Sequence, residues 1–308
     1  MRRKGATLDG LLLLDKPGGI TSNAALQQAR RLLVAAKAGH TGTLDPLATG
    51  LLAVCFGEAT KFSSLLLDAD KTYLATVKLG ATTTTGDAEG EVIFRGDVGA
   101  VSVAQIEAVL AGLIGTQEQV PPMFSALKHL GRPLYEYARA GATVARAGRQ
   151  ITVHDLSVLR VEPDMATIRL RVSKGTYIRV IAQEIGERLG CGAHLSGLRR
   201  EAIGTWNVEA AVSFETLAEL TGDQRRGLLR PVDGFLEGLP RIDLDAAAAS
   251  ALCQGQSVSA GPMTDAGLVR VYGADGAFLG LGQIEDSGRV APRRLLSTQG
   301  AGVPLRAA

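Results

Sequence analysis

GHTGTLDPLATG, residues 39–50, places a single carboxylate, Asp45, between glycines and directly before a proline. Pro46 disfavours helical backbone at the residue before it, while Gly42 and Gly50 allow positive φ and close backbone approach that a side chain would block. The stretch therefore holds one acid on a stiff loop. An ordinary loop aspartate closes an Asx-turn, so what surrounds this one decides whether it does chemistry.

On both sides the chain reads as short buried strands and helices. GLLLLDKPGG (10–19) is a strand ended by a turn, because proline fixes φ and glycine supplies positive φ. Ser22 or Asn23 is the expected N-cap of a helix over 23–36, where Leu26, Ala29, Leu32 and Leu33 fall at near-helical spacing. LLAVCF (51–56) predicts a second buried strand, EATKFSSLLL (58–67) a helix and KTYLATVKLG (71–80) a strand. ATTTTGDAEG (81–90) has neither period and reads as a loop long enough to be functional. Ser102 and Gln105 make a capping box for a helix over 103–113. Two prolines then interrupt QVPPMFSALK (119–128), and Lys128, Arg132, Arg139, Arg146 and Arg149 make 120–150 a basic insertion. Residues 151–161 and 166–173 alternate as a hairpin about Pro163–Asp164. Ile178, Ile181, Ile185 and Leu189 mark a helix closed by GCG (190–192), and SGLRREAIGTW (196–206) is a further strand. From 239 the texture changes to a small-residue helix and short strands with glycine turns, so 1–238 and 239–308 are expected to form a large domain and a small one.

Composition bounds the function. The 308 residues are 46% hydrophobic, enough for a substantial core, and the net charge is only +2. Basic surface must therefore be local rather than global. Cys55, Cys191 and Cys253 are odd in number and far apart, which fits a reduced compartment and offers no disulfide framework, and MRRKGATLDG (1–10) carries no secretory cleavage pattern, so a cytoplasmic protein is expected. With His40, His129, His154 and His194 they give no metal-ligand spacing. The apolar run Leu11–Leu14 is far short of the roughly 20 residues of a membrane span. Neither a dinucleotide fingerprint nor a phosphate-binding glycine loop is present, so no cofactor is expected.

GHTGTLDPLATGLL resembles the aspartate motif of bacterial tRNA pseudouridine-55 synthases, the TruB family. LLLLDKPGGITSN (11–23), DKTYLATVKLG (70–80), SKGTYIRVIAQEIGERLGCGAHLSGLRR (173–200) and GRVAPRRLL (288–296) resemble it too, in the family's order and across nearly the whole chain. The resemblance implies an α/β (α+β) fold with a mixed, largely antiparallel pseudouridine-synthase sheet, flanking helices and a small C-terminal PUA-like RNA-binding β domain. It implies isomerisation of uridine to pseudouridine at position 55 in the T-loop of tRNA by a flipped-base route. In that route the N1–C1′ bond breaks and a C5–C1′ bond forms.

By the same resemblance Asp45 is the catalytic carboxylate, Arg179 its ion-pair partner, and Tyr73 the aromatic stacked on uracil and the candidate proton shuttle. Tyr177 and Leu198 line the base pocket, His40 enters the RNA stack that flipped bases vacate, Lys61 helps organise the site, and Asp87 lies near the ligand. Relatives commonly carry Thr-Asp-Thr where this chain has Thr83-Thr84-Thr85. The expected partner is tRNA alone, held at its T-arm and, through the C-terminal domain, at its acceptor end. No membrane or obligate protein partner is implied, and a monomer is expected. A non-catalytic tRNA chaperone would use the same surface without needing Asp45. A guide-dependent relative would work inside a ribonucleoprotein, and the start of the chain almost at its first strand favours the stand-alone form.

Overall fold

The computed structural model describes residues 5–99, 101–259 and 267–297; of the expected C-terminal domain, 260–266 and 298–308 lie outside the described residues. The large sheet runs in the order Gly10–Lys16, Thr49–Phe56, Ala193–Ile203, Lys71–Leu79, Met165–Val172, Arg149–Glu162 and Gly115–Gln119, with Ala38–Thr41 paired to Thr49–Phe56 and Trp206–Asn207 to Ala193–Ile203. Its pairings are antiparallel except one, the short parallel contact of Arg199 and Arg200 with Thr49 and Gly50.

The apolar runs explain their own positions. Leu12, Leu14, Leu52, Val54 and Phe56 pack on the helix Ser22–Leu32 through Ala25, Leu26 and Ala29. Leu11, Leu13, Leu51, Ala53 and Cys55 pack on the opposite side against Leu66, Ile203 and Trp206. Strands covered on both faces read as continuous hydrophobic stretches. Lys71–Leu79 instead alternates buried and half-buried positions, its inner residues Tyr73, Ala75 and Val77 meeting Ile106, Leu110, Ile181 and Ile185 of the helices Val103–Ala111 and Ile178–Arg188.

The fold makes a fork at the aspartate loop. One edge of Thr49–Phe56 is paired along its length by Gly10–Lys16. The other is shared: Ala38–Thr41 takes its second half, 53–56, and Arg199 and Arg200 its first two residues. Residues 42–48 bridge the gap between these pairings. Gly50 sits at φ +99, where an added Cβ would lie 2.3 Å from the Arg200 carbonyl oxygen, so the crossing requires glycine.

Two expectations change. Thr21, not Ser22 or Asn23, caps the first helix by accepting from the Ala24 amide, because the Ser22 hydroxyl is used elsewhere. The 81–90 stretch is only partly loop: Ala81–Thr83 pairs with Val92–Arg95 as a hairpin whose polar strand hides its period. A separate five-stranded sheet follows, in the order Arg241–Asp243, Gly267–Tyr272, Phe278–Ile284, Arg289–Leu295 and Val258–Ser259. The helix Ala246–Cys253 packs on it through Leu252.

Candidate active site

The aspartate loop is tied down by buried polar side chains that bond its backbone. Ser22 Oγ donates to the Leu44 carbonyl at 3.0 Å and accepts from the Leu44 amide at 2.8 Å. Lys16, fully buried, donates to the carbonyls of Pro17 and Ile20 at 2.8 and 2.7 Å and reaches Pro46 O at 3.4 Å. Arg200, also buried, donates to the carbonyls of Leu51 and Gly42 at 2.7 and 3.1 Å. Within the loop the Ala48 amide donates to the Asp45 carbonyl at 3.0 Å. Buried carbonyls and amides need such partners, and here satisfying them also fixes where the carboxylate stands.

Arg179 enters from the first turn of its helix and is 4% exposed, against 37% for the Asp45 side chain. Its Nε lies 2.9 Å from Asp45 Oδ2 and its Nη2 3.4 Å from Oδ1. The remaining donors go to the Thr85 carbonyl at 2.8 Å and the Phe124 carbonyl at 2.7 Å, and Asp87 Oδ2 lies 3.6 Å from Nε. Two carboxylates thus share one guanidinium. A cavity of about 760 Å³ opens at this point, lined by His40, Asp45, Asp87, Glu89 and Ser125 and, from the basic insertion, by Tyr135 and Arg139.

Burial in this site raises the Asp45 pKa above the ordinary carboxylate range and the negative charge of Asp87 pushes the same way, while Arg179 and Lys16 pull it down. Burial lowers the His40 pKa, helped by the Arg200 charge, so the imidazole is neutral at pH 7. Burial also lowers the Lys16 pKa to about 8, with Asp45 as the largest opposing influence. Among the described residues no group of three or more His, Cys, Asp and Glu side chains is placed to hold a metal ion.

Asp45, Arg179, Asp87 and His40 therefore come together. Tyr73 is buried in the apolar cluster that contains Leu44 and Ala48, which flank the aspartate closely in sequence, and Leu198 packs on the edge of the same cluster. Tyr177 precedes the Arg179 helix, its amide donating to Gln119 Oε1 at 2.7 Å and its carbonyl accepting from Gln119 Nε2 at 3.2 Å. Lys61 is elsewhere. Its ammonium donates to Glu58, to the Leu295 carbonyl at 3.1 Å and to Ser297 Oγ at 2.9 Å, so it joins the large sheet's periphery to the C-terminal strands rather than organising the cavity. Lys16, Ser22, Gln119 and Arg200 escape sequence reasoning because their partners are main-chain groups, which leave no paired residue to find.

The site is thus a carboxylate held by an arginine that it shares with a second acid, at the wall of a cavity of about 760 Å³ on a largely antiparallel sheet. Residues 30–178 match the family model described as TruB family pseudouridylate synthase, N-terminal domain; 179–237 match tRNA pseudouridylate synthase B C-terminal domain, and 240–296 match pseudouridine synthase II TruB, C-terminal. The chain is 57% identical over 297 residues to tRNA pseudouridine synthase B of Aromatoleum aromaticum, covering 96% of each chain. Against the protein of that name from Chromohalobacter salexigens it is 53% identical, covering 96% of this chain and 97% of the relative. A chain of a Cbf5–Nop10–Gar1 complex superposes with TM-score 0.70 at 28% identity, over 90% of this chain and 78% of the other. The chain belongs to the TruB family of pseudouridylate synthases and is a tRNA pseudouridine synthase, an isomerase.

Proposed function

We propose that the enzyme converts the T-loop uridine of tRNA, position 55, to pseudouridine, with Asp45 as the essential carboxylate. The observation that carries the reading is the Arg179–Asp45 ion pair at the wall of a 760 Å³ cavity. A uracil stacked in RNA cannot present C1′ to a recessed acid, so the nucleotide must be flipped into the cavity. Arg179 favours the ionised form of Asp45 and fixes its direction through two nitrogens. With Asp45 facing the sugar, the N1–C1′ bond breaks, the base turns in place, and C5 bonds to C1′. The hydrogen at C5 leaves as a proton and N1 takes one up, so the step is redox-neutral and releases no fragment of substrate. Tyr73 stacks on the base and serves the proton movement, Tyr177 and Leu198 complete the pocket, and Asp87 tunes Arg179.

Neutral His40, on the cavity wall, takes the place of the flipped bases in the RNA stack. The basic insertion at 120–150, which contributes Tyr135 and Arg139 to the same wall, closes over the T-loop as a lid. Residues 1–238 do the chemistry, and 239–308 act as a PUA-like module on the acceptor end of tRNA. The enzyme acts as a cytoplasmic monomer without a cofactor.

Release of tritium from C5 of uridine in an unmodified tRNA transcript tests the reading, since forming the new bond must expel that hydrogen. Wild-type release that vanishes in Asp45→Asn, with tRNA binding retained, is expected. Absence of release from the wild type would refute it.

A further inference from the structure

Among the described residues that line the cavity, Ser125 is 5% exposed and carries a buried hydroxyl that makes no hydrogen bond of normal geometry, with only the Tyr177 phenol beside it. Buried hydroxyls are rarely left unpaired without a reason. The backbone around it is firmly held: the Ser125 amide donates to the Met123 carbonyl at 2.9 Å, and its carbonyl accepts from the Tyr135 amide at 3.1 Å. One residue earlier, the Phe124 carbonyl accepts from Arg179 Nη2 at 2.7 Å. The unpaired hydroxyl is therefore in fixed register with the guanidinium that aims Asp45.

We propose that Ser125 Oγ donates a hydrogen bond to a carbonyl oxygen of the uracil in this cavity and so selects and steadies the base, an inference that rests on the T-loop reading above. The chemistry of the turn suits one hydroxyl. Rotating uracil by half a turn about its N3–C6 axis exchanges N1 with C5 and, at the same time, O2 with O4. A donor that holds O2 of the uridine finds O4 of the product in the same place, so one fixed serine serves both orientations.

The test is tritium release from C5-labelled T-arm stem-loops carrying uridine, 2-thiouridine or 4-thiouridine at the target, with wild type, Ser125→Ala and Ser125→Cys. Sulfur accepts hydrogen bonds poorly, and most RNA affinity comes from backbone contacts. Ser125→Ala is expected to lower kcat on uridine about tenfold with little change in KM. A thio substitution that slows the wild type should slow Ser125→Ala no further, and Ser125→Cys, which keeps the side chain's size but loses the strong donor, should behave like Ser125→Ala. An unchanged rate in Ser125→Ala, a wild-type rate in Ser125→Cys, or equal slowing of Ser125→Ala relative to wild type on all three substrates would overturn the proposal. Wild-type release on the uridine stem-loop separates these outcomes from failure of the T-loop reading itself, which would abolish it.

Discussion

Arg179 meets Asp45 with two nitrogens at once, Nε at 2.9 Å and Nη2 at 3.4 Å, while two more of its hydrogen bonds go to the carbonyls of Thr85 and Phe124. A single side chain therefore sets the aspartate against both the 81–90 hairpin and the basic insertion. Arg179→Lys keeps the charge but, with one nitrogen, cannot make this planar fork. Activity should fall by at least about a hundredfold, as expected when a group that positions the reaction is lost. Single-turnover tritium release at saturating enzyme would measure the chemical step apart from RNA binding.

Asp87 and Arg179 act on the Asp45 carboxyl in opposite directions. In the proposed mechanism the ionised carboxylate is the working form, so activity should rise as pH passes upward through the Asp45 pKa, which burial raises. Asp87→Asn removes a negative neighbour, lowers that pKa, and should move the acid limb of kcat to lower pH. Arg179→Gln removes a positive neighbour and should move the limb to higher pH in whatever activity remains. Limbs that shift in the same direction in both variants would contradict the electrostatic account; pH profiles of single-turnover rate decide it.

Much of the fold and part of the site were legible in the sequence, and the boundary between the two is physical. Leu11–Leu14 and 51–56 announce strands buried on both faces, and Asp45 and Arg179 stand in strings specific enough to identify. The tie-downs were hidden because Ser22, Lys16 and Arg200 bond backbone atoms, and any residue can supply a carbonyl. Ser22 illustrates the difficulty: its position suggested a helix cap, whereas its hydroxyl clasps Leu44 from 22 residues away. Lys61 misled in the opposite sense. A lysine near the motif in sequence projects toward Leu295 and Ser297, 234 and 236 residues further along.

Arg200 and Gly50 together hold the fork from which the aspartate loop springs. Arg200→Met would leave the carbonyls of Gly42 and Leu51 unpaired, a cost of roughly 1–3 kcal/mol for each buried group. Gly50→Ala would force a side chain against the Arg200 carbonyl at positive φ. Both variants should unfold at lower denaturant concentration than wild type. Whatever Arg200→Met protein remains folded should bind tRNA but turn over slowly, because the loop rather than the RNA surface has loosened. Urea titration followed by binding and tritium-release assays on the same preparation separates the two effects.

The junction with the C-terminal sheet combines a polar clamp with an apolar plug, and their strengths differ. Lys61 and Glu58, at 23% and 20% exposure, pair with each other and reach Ser297, whereas Phe62 is buried with Leu236 and Leu281 and stacks at 5.6 Å on Phe278. Partly exposed ion pairs contribute less than about 1 kcal/mol, while truncating a buried phenylalanine costs roughly 3–5 kcal/mol. Phe62→Ala should therefore expose the segment around 236–240 to protease much faster than Lys61→Ala. If 239–308 grip the acceptor end, Phe62→Ala should also weaken binding of full-length tRNA more than binding of an isolated T-arm stem-loop, which does not reach that module. Equal loss on both RNAs would mean that the C-terminal sheet supports the catalytic fold rather than extending its grip. Limited proteolysis in parallel with binding of the two RNAs makes that distinction directly.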